Sequence, residues 1–325
     1  MKSKIIKLIT YIVIAMFIIA GCSQQDSTGG DSSSSSNSDG PKIAVVLKGS
    51  DQEYFKLAEQ GARQAFEDLD VNGIFHAATT QTDTTQLINI LEDLLIEKPD
   101  ALVVMPSTEA QIPVLDRYRE NDIPVLLIDT DLDWDGKATY IGTDNYSAGR
   151  EAATYLASLL EKDDKIAVLE GVTGAKVNED RIAGFEDVMK EEGIEIIASL
   201  SADFDRVKAV SAMEDILTAH PYISGIFTAN DEMGMGALEA VEARNLDIPI
   251  VGVDGTTDGL ESISNGGMTA TISQDPYNMA YLGVENALKI LNGESIEKRI
   301  DSGIAIITKE NAASELDRVK KLLNK

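Results

Sequence analysis

Cysteine occurs once in the 325 residues, at position 22. No intrachain disulfide can form, so a folded body must be held by packing alone. Histidine occurs only twice, as His76 and His220, the latter next to Pro221. There is no His-Glu-x-x-His, no Gly-x-Ser-x-Gly elbow and no Walker phosphate loop, and Gly234-Met235-Gly236 lacks the remaining glycine of a dinucleotide fingerprint. These absences speak against an enzyme. Positive charge is scarce as well: 28 Lys and Arg stand against 55 Asp and Glu, a formal charge of −27. Such a surface repels nucleic acid and anionic lipid and is indifferent to a neutral solute. The apolar run Leu8–Ala20 covers 13 residues, well short of the roughly 20 that span a bilayer as a helix.

That run has the form of an export signal. Lys2, Lys4 and Lys7 precede it, and Ile19-Ala20-Gly21-Cys22 closes it. The closing tetrad resembles the lipobox of bacterial lipoproteins, which implies residues 1–21 as a lipoprotein signal peptide. Cys22 would then be the lipidated first residue of the mature protein, holding it on the extracytoplasmic face of the cell membrane. Loss of residues 1–21 removes three lysines and no acids, moving the formal charge from −27 to −30. Residues 23–40 are almost entirely Ser, Gly, Asp, Asn and Gln. With no apolar residue to enter a core, this stretch reads as a disordered tether with a reach of roughly 23 Å, so that residues 22–40 would be a lipidated cysteine followed by a flexible Ser/Gly linker.

From Lys42 onward short β-branched runs alternate with helical patterns. The runs are Ile43–Leu47, Ala101–Met105, Val125–Ile128, Ile166–Leu169, Ile194–Leu200, Gly225–Thr228, Ile248–Val253 and Thr269–Ser273. Helical patterns cover 51–69, 84–97 and 109–120, with Leu87, Ile90, Leu91, Leu94 and Leu95 marking a core-facing stripe. The alternation predicts an α/β fold of mostly parallel sheets covered by helices on both faces, and the length suits two lobes. In such sheets ligands collect beyond the carboxyl ends of the strands. Standing there are Lys48 with Gln52, Tyr54 and Phe55, then Asp129, Asn230-Asp231, Asp254 and Gln274-Asp275. Helix capping explains any one of these acids and amides. The whole set also fits a sugar: carboxylates and amides for its hydroxyls, and the rings of Tyr54, Phe55 and Phe204 for its C–H faces. Core packing is the other reading for those rings.

Longer stretches carry a resemblance. Ala202-Asp203-Phe204-Asp205-Arg206, Leu217-Thr218-Ala219-His220-Pro221, Asn230-Asp231-Glu232-Met233, Val251-Gly252-Val253-Asp254-Gly255-Thr256 and Ala270-Thr271-Ile272-Ser273-Gln274 are similar in order and spacing to the ribose-binding-protein branch of the type I periplasmic sugar-binding proteins. Repressors share that fold, but here an export signal stands where their helix-turn-helix would be. The resemblance implies two Rossmann-like lobes joined by three crossover strands, near Thr143, Gln274 and Ser302. The lobes would be 42–142 plus 275–302, and 143–274 plus 303–325. It implies ligand contacts at Gln52, Tyr54, Phe55, Asp129, Phe204, Asn230, Asp254 and Gln274. It also marks three departures. Lys48 replaces a small hydroxyl residue, Thr130 follows Asp129 where the family has an arginine, and the ungapped match to a second arginine is Glu179, with Arg181 two residues on. Lysine and arginine present different donor geometries. The departures therefore point from ribose toward another pentose, a hexose, a polyol or a furanose such as autoinducer-2.

The implied function is a monomeric, non-enzymatic solute-binding lipoprotein that needs no cofactor and delivers its sugar-like ligand to an ABC permease. A sugar or autoinducer-2 sensor signalling to a chemoreceptor or histidine kinase would present the same pocket. A glycoside hydrolase using Asp129 and Asp254 would show turnover. Asp131-Leu132-Asp133-Trp134-Asp135-Gly136 opens like a calcium loop, but Gly142 occupies the twelfth position, where a bidentate glutamate is needed. A solvated acidic turn is the better reading, and no metal is expected.

Overall fold

The computed structural model describes residues 40–324, which form two six-stranded sheets flanked by ten helices among those residues. The first sheet has the order β11-β5-β4-β3-β1-β2, built from β1 (Lys42–Leu47), β2 (Asn72–Ala77), β3 (Ala101–Val104), β4 (Val125–Ile128), β5 (Thr139–Gly142) and β11 (Arg299–Asp301). All its pairings are parallel. The second sheet has the order β12-β10-β9-β8-β6-β7, from β6 (Lys165–Glu170), β7 (Glu195–Ser201), β8 (Gly225–Thr228), β9 (Ile250–Asp254), β10 (Ala270–Ser273) and β12 (Ala305–Ile307). Here only β12 runs antiparallel, against β10.

Each sheet is covered on both faces, which explains the continuous apolar runs of its central strands. Along β1 the side chains alternate: Ile43, Val45 and Leu47 enter one core, Ala44 and Val46 the other. Along β6, Ala167 and Leu169 face one core, Ile166 and Val168 the opposite one. The helices are α1 (Glu53–Asp68), α2 (Thr84–Glu97), α3 (Ile112–Glu120), α4 (Asn145–Ala157), α5 (Lys176–Glu192), α6 (Arg206–Ala219), α7 (Asp231–Ala243), α8 (Thr257–Asn265), α9 (Pro276–Leu291) and α10 (Ala312–Leu323). Acid, amide and hydroxyl side chains cap several of them: Asp83, Asp144, Asp205, Asn230, Thr256 and Asp275 each accept a backbone N–H of the first turn.

The chain changes sheet three times, between β5 and α4, between β10 and α9, and between β11 and β12. In consequence α9 covers β1, β3, β4 and β5 and lies against α1, although almost the whole second sheet separates it from them in sequence. The expected pattern over 109–120 resolves into a 3-10 turn, Glu109–Gln111, followed by α3. Pro113 in the first turn of α3 gives up an N–H that is unpaired there anyway. Among the described residues no helix is long and apolar enough to cross a membrane.

Candidate functional site

The carboxyl ends of the two sheets face each other across a cleft with an empty volume of about 300 Å³. Its first-lobe wall is Lys48, Gln52, Tyr54, Phe55, Gln81 and Asp129; its second-lobe wall is Val177, Arg181, Phe204, Asn230 and Asp254.

Asp129 follows β4 and takes a left-handed backbone, φ 63°, which turns its side chain out of the strand. Its Oδ2 accepts from Lys48 Nζ at 2.5 Å and from the Thr130 hydroxyl at 2.7 Å; its Oδ1 accepts from the Tyr54 hydroxyl at 2.6 Å. Lys48 Nζ also donates to Thr130 Oγ1 at 2.8 Å. Burial alone would raise the Asp129 carboxyl. The charge of Lys48, then hydrogen bonds from Lys48, Tyr54 and Thr130, outweigh it and hold the group below its ordinary value. The Tyr54 phenol is pushed well above its ordinary value, first by burial and then by the Asp129 charge. With Oδ2 doubly engaged, Asp129 keeps acceptor capacity mainly on Oδ1, and Lys48 keeps one N–H.

Asp254 ends β9, also at positive φ (124°). Gln274 Nε2 donates to its Oδ1 at 2.7 Å, and Arg181 Nη1 stands 3.8 Å from the same oxygen. Burial pushes the Asp254 carboxyl up to about 7, against the pull of Arg181 and of the Gln274 amide, while the Asp129 charge adds to the rise. Arg181 is locked by Nε donating to Asn145 Oδ1 (2.8 Å) and Nη1 donating to the Ala229 carbonyl (2.7 Å), which leaves its other N–H groups for the cleft. Asn230 spends Oδ1 on the Met233 N–H, capping α7, and its amide nitrogen remains available. Capping and lining the cleft are therefore not alternatives at this position. Phe204 follows Asp203 in a pair of left-handed residues, φ 54° and 60°, and its ring lies over Gly171, where a Cβ would come within 2.0 Å of it.

Three expected residues stand elsewhere. Thr130 and Gln274 are buried behind the wall and act through Asp129 and Asp254. Glu179 is exposed and lines no part of the cleft, which corrects the ungapped reading. At 100° per residue, positions 179 and 181 lie on opposite faces of α5, and it is Arg181 that points inward. A guanidinium is therefore present in the cleft. Gln81 and Val177 were not anticipated. Gln81 follows β2, a strand with little apolar alternation, so its strand-end position carries no signal in the sequence.

Asp231, next to Asn230, is a buried carboxylate outside the cleft. It accepts the N–H groups of Gly255 (2.8 Å) and Thr256 (2.9 Å) and the Thr271 hydroxyl (2.7 Å), fixing the turn that presents Asp254. Burial, with the nearby Asp254 charge, pushes it up to about 8. In the acidic turn, Asp131 pairs with Lys137 at 2.6 Å, and Trp134 is buried with its indole N–H on Asp116. Among the described residues no group of three or more His, Cys, Asp or Glu is placed to hold a metal ion.

Comparison with known proteins agrees with this geometry. The model of the periplasmic binding protein domain matches residues 43–295. The ribose import binding protein of Bacillus subtilis (strain 168) is 30% identical over 300 residues, 92% of this chain and 97% of that protein. A periplasmic solute-binding protein of an ABC transporter from Actinobacillus succinogenes 130z, solved with bound D-allose, superposes with TM-score 0.80 at 33% identity, covering 84% of this chain and 99% of the other. A carbohydrate transporter solute-binding protein from Agrobacterium radiobacter, in complex with D-arabinose, gives TM-score 0.82 at 29% identity over 88% and 99%. Two α/β lobes, a cleft lined from both and these similarities together establish that the chain belongs to the type I periplasmic sugar-binding proteins of ABC transporters.

Proposed function

We propose that the chain is the extracytoplasmic solute-binding lipoprotein of an ABC importer and takes a monosaccharide-like ligand between its lobes by hinge closure. The observation that carries this reading is the pairing of donors and acceptors in the cleft. Lys48 and Arg181 face Asp129 and Asp254, two cations against two acids, so a guest with many hydroxyls meets donors and acceptors from both lobes. The rings of Tyr54, Phe55 and Phe204 supply flat apolar surface beside them. Relatives solved with D-allose and D-arabinose support the same ligand class. Only the closed form touches a ligand from both sides, so binding shifts the hinge equilibrium toward closure. The closed body then presents both lobe faces to a membrane permease. No step in this cycle breaks a bond in the ligand, and the chain acts as a carrier rather than an enzyme.

A thermal-shift panel of pentoses, hexoses, polyols and autoinducer-2 tests the reading. A ligand at a hundred times its Kd adds about 2.7 kcal/mol, a rise in Tm of roughly 5 °C or more. Asp254→Ala and Asp129→Ala each remove one member of a buried charged pair and are expected to weaken calorimetric affinity by about 2–5 kcal/mol while the far-ultraviolet spectrum is unchanged. A panel without any binder, or affinity unchanged from the parent in both variants, refutes the assignment.

A further inference from the structure

Two adjacent residues at the start of α1 reach from one lobe to the other. Gln52 holds the N-cap position of α1, yet its side chain does not cap the helix. Instead Nε2 donates to the carbonyl of Phe204 in the second lobe, at 2.8 Å. Glu53, the first residue of α1, is bound to the second lobe at both carboxylate oxygens. Oε1 accepts the backbone N–H of Thr257 at 2.7 Å, and Oε2 accepts the Thr257 hydroxyl.

Thr257 is the first residue of α8, a helix of nine residues whose cap, Thr256, serves the N–H of Gly259. The Thr257 N–H is thus one of the amides that a helix leaves without an internal partner. A carboxylate there gains both a charged hydrogen bond and the favourable end of the helix dipole. Glu53 and Thr257 are both half-buried, and neither lines the ligand cleft. Their bonds exist only when the two lobes are together, so their free energy belongs to the closed form alone.

We infer that Glu53 is a positioning residue for ligand capture: its clamp on the start of α8 raises the closed population before any ligand arrives. Apparent affinity then rises by the same factor, because binding is diluted by the fraction of molecules that are competent. The clamp works against a cost at the same rim. Asp51 of the first lobe and Asp205 of the second share one groove with Glu53, Arg206, Glu232 and Asp258. Arg206 is already engaged by Glu232 and Asp258, each at 2.8 Å, and Asp51 feels the Asp205 charge across the gap. Closure therefore brings like charges together, and the Glu53 clamp offsets that repulsion.

The first measurement needs no ligand. Nitroxide labels on Lys56→Cys in α1 and Ser211→Cys in α6, both exposed and one on each lobe, report the width of the mouth in the full chain carrying Cys22→Ser. The parent is expected to show a short separation beside a longer one, Glu53→Ala a loss of the short component, and Glu53→Gln an intermediate distribution. Thr257→Val, which removes only the hydroxyl arm, is expected to shift the same way and covers the case of a misfolded Glu53 variant. Unchanged distance distributions in folded Glu53→Ala and Thr257→Val overturn the inference. The affinity consequence rests on the function proposed above and is read separately, with D-allose and D-arabinose as probes. A loss of about fivefold or more in Glu53→Ala is expected. A shifted distance distribution with no sugar bound by any form upholds the clamp and sinks the sugar reading instead.

Discussion

Asp129 and Asp254 occupy matching places, each leaving a central strand at positive φ, yet their surroundings push them in opposite directions. Asp129 is surrounded by donors and held below its ordinary value; Asp254 and its neighbour Asp231 are raised to about 7 and about 8 by burial. The signs give a pH dependence. A carboxyl raised in the folded state contributes stability fully below its unfolded value, near 3.8, and loses it as pH climbs through the folded value. Asp129 does the reverse, contributing above pH 4 and failing only in acid. The melting temperature is therefore expected to fall between about pH 4 and about pH 8 and to level off above that. Asp231→Asn keeps an oxygen for the Gly255 and Thr256 amides and cannot ionise, so its Tm should slope less over that range. An equal slope in calorimetric scans of both proteins would clear Asp231 of the effect. Little of this could be read from the sequence. The strand-end position of both acids was legible, but the partners that set their charge lie far off in sequence, 81 residues in the case of Lys48 and Asp129. Arg181 was one register error from being assigned, because an ungapped alignment ignores which face of a helix a residue occupies.

Elements with a strong pattern were legible, and those lost were short, polar or at an edge. The helix over 84–97 is found as read, and the one expected over 51–69 begins and ends within two residues of that range. Strands β2, β5, β11 and β12 carry no clear strand pattern in the sequence. β2 contains Asn72, Gly73 and His76 and pairs on one side only, where alternation is weakly enforced; β11 and β12 are edge strands of three residues. Helix contacts set by glycine were also hidden, and one of them places the cleft arginine. At the crossing of α4 and α5, a Cβ on Gly149 would come within 2.0 Å of the Arg181 carbonyl, and one on Gly184 within 2.1 Å of the Tyr146 carbonyl. Backbone touches backbone there, with no side chain free to yield. Gly149→Ala is expected to cost about 1–3 kcal/mol of stability. Because it displaces the turn that bears Arg181, it should also weaken ligand binding. Calorimetric titration after correction for the unfolded fraction separates the two effects, and unchanged affinity would show that the arginine is positioned by its own hydrogen bonds alone.

At the scale of the molecule, alternation of strands and helices gave the class of fold, while the division into lobes came from resemblance, since no change of composition marks where the chain crosses. The anchor is a separate matter. Cys22 and the tether lie outside the described residues, and lipidation there is a proposal carried by the sequence alone. Cys22→Ser in the native host is expected to move the protein from the membrane fraction to the soluble extracytoplasmic fraction, as seen by fractionation and immunoblot; retention on the membrane would exclude a thioether-linked lipid as the anchor. The folded body has a property that follows from its three sheet changes. The first sheet lacks its covering helix α9 and its edge β11 until the chain has passed Asp301, and the second awaits β12 and α10 at the far end. During synthesis, then, neither half can complete its core until most of the other has been made. A nascent chain built this way stays open until nearly all of it exists, which suits a polypeptide that must be threaded through a narrow conduit before it is allowed to fold.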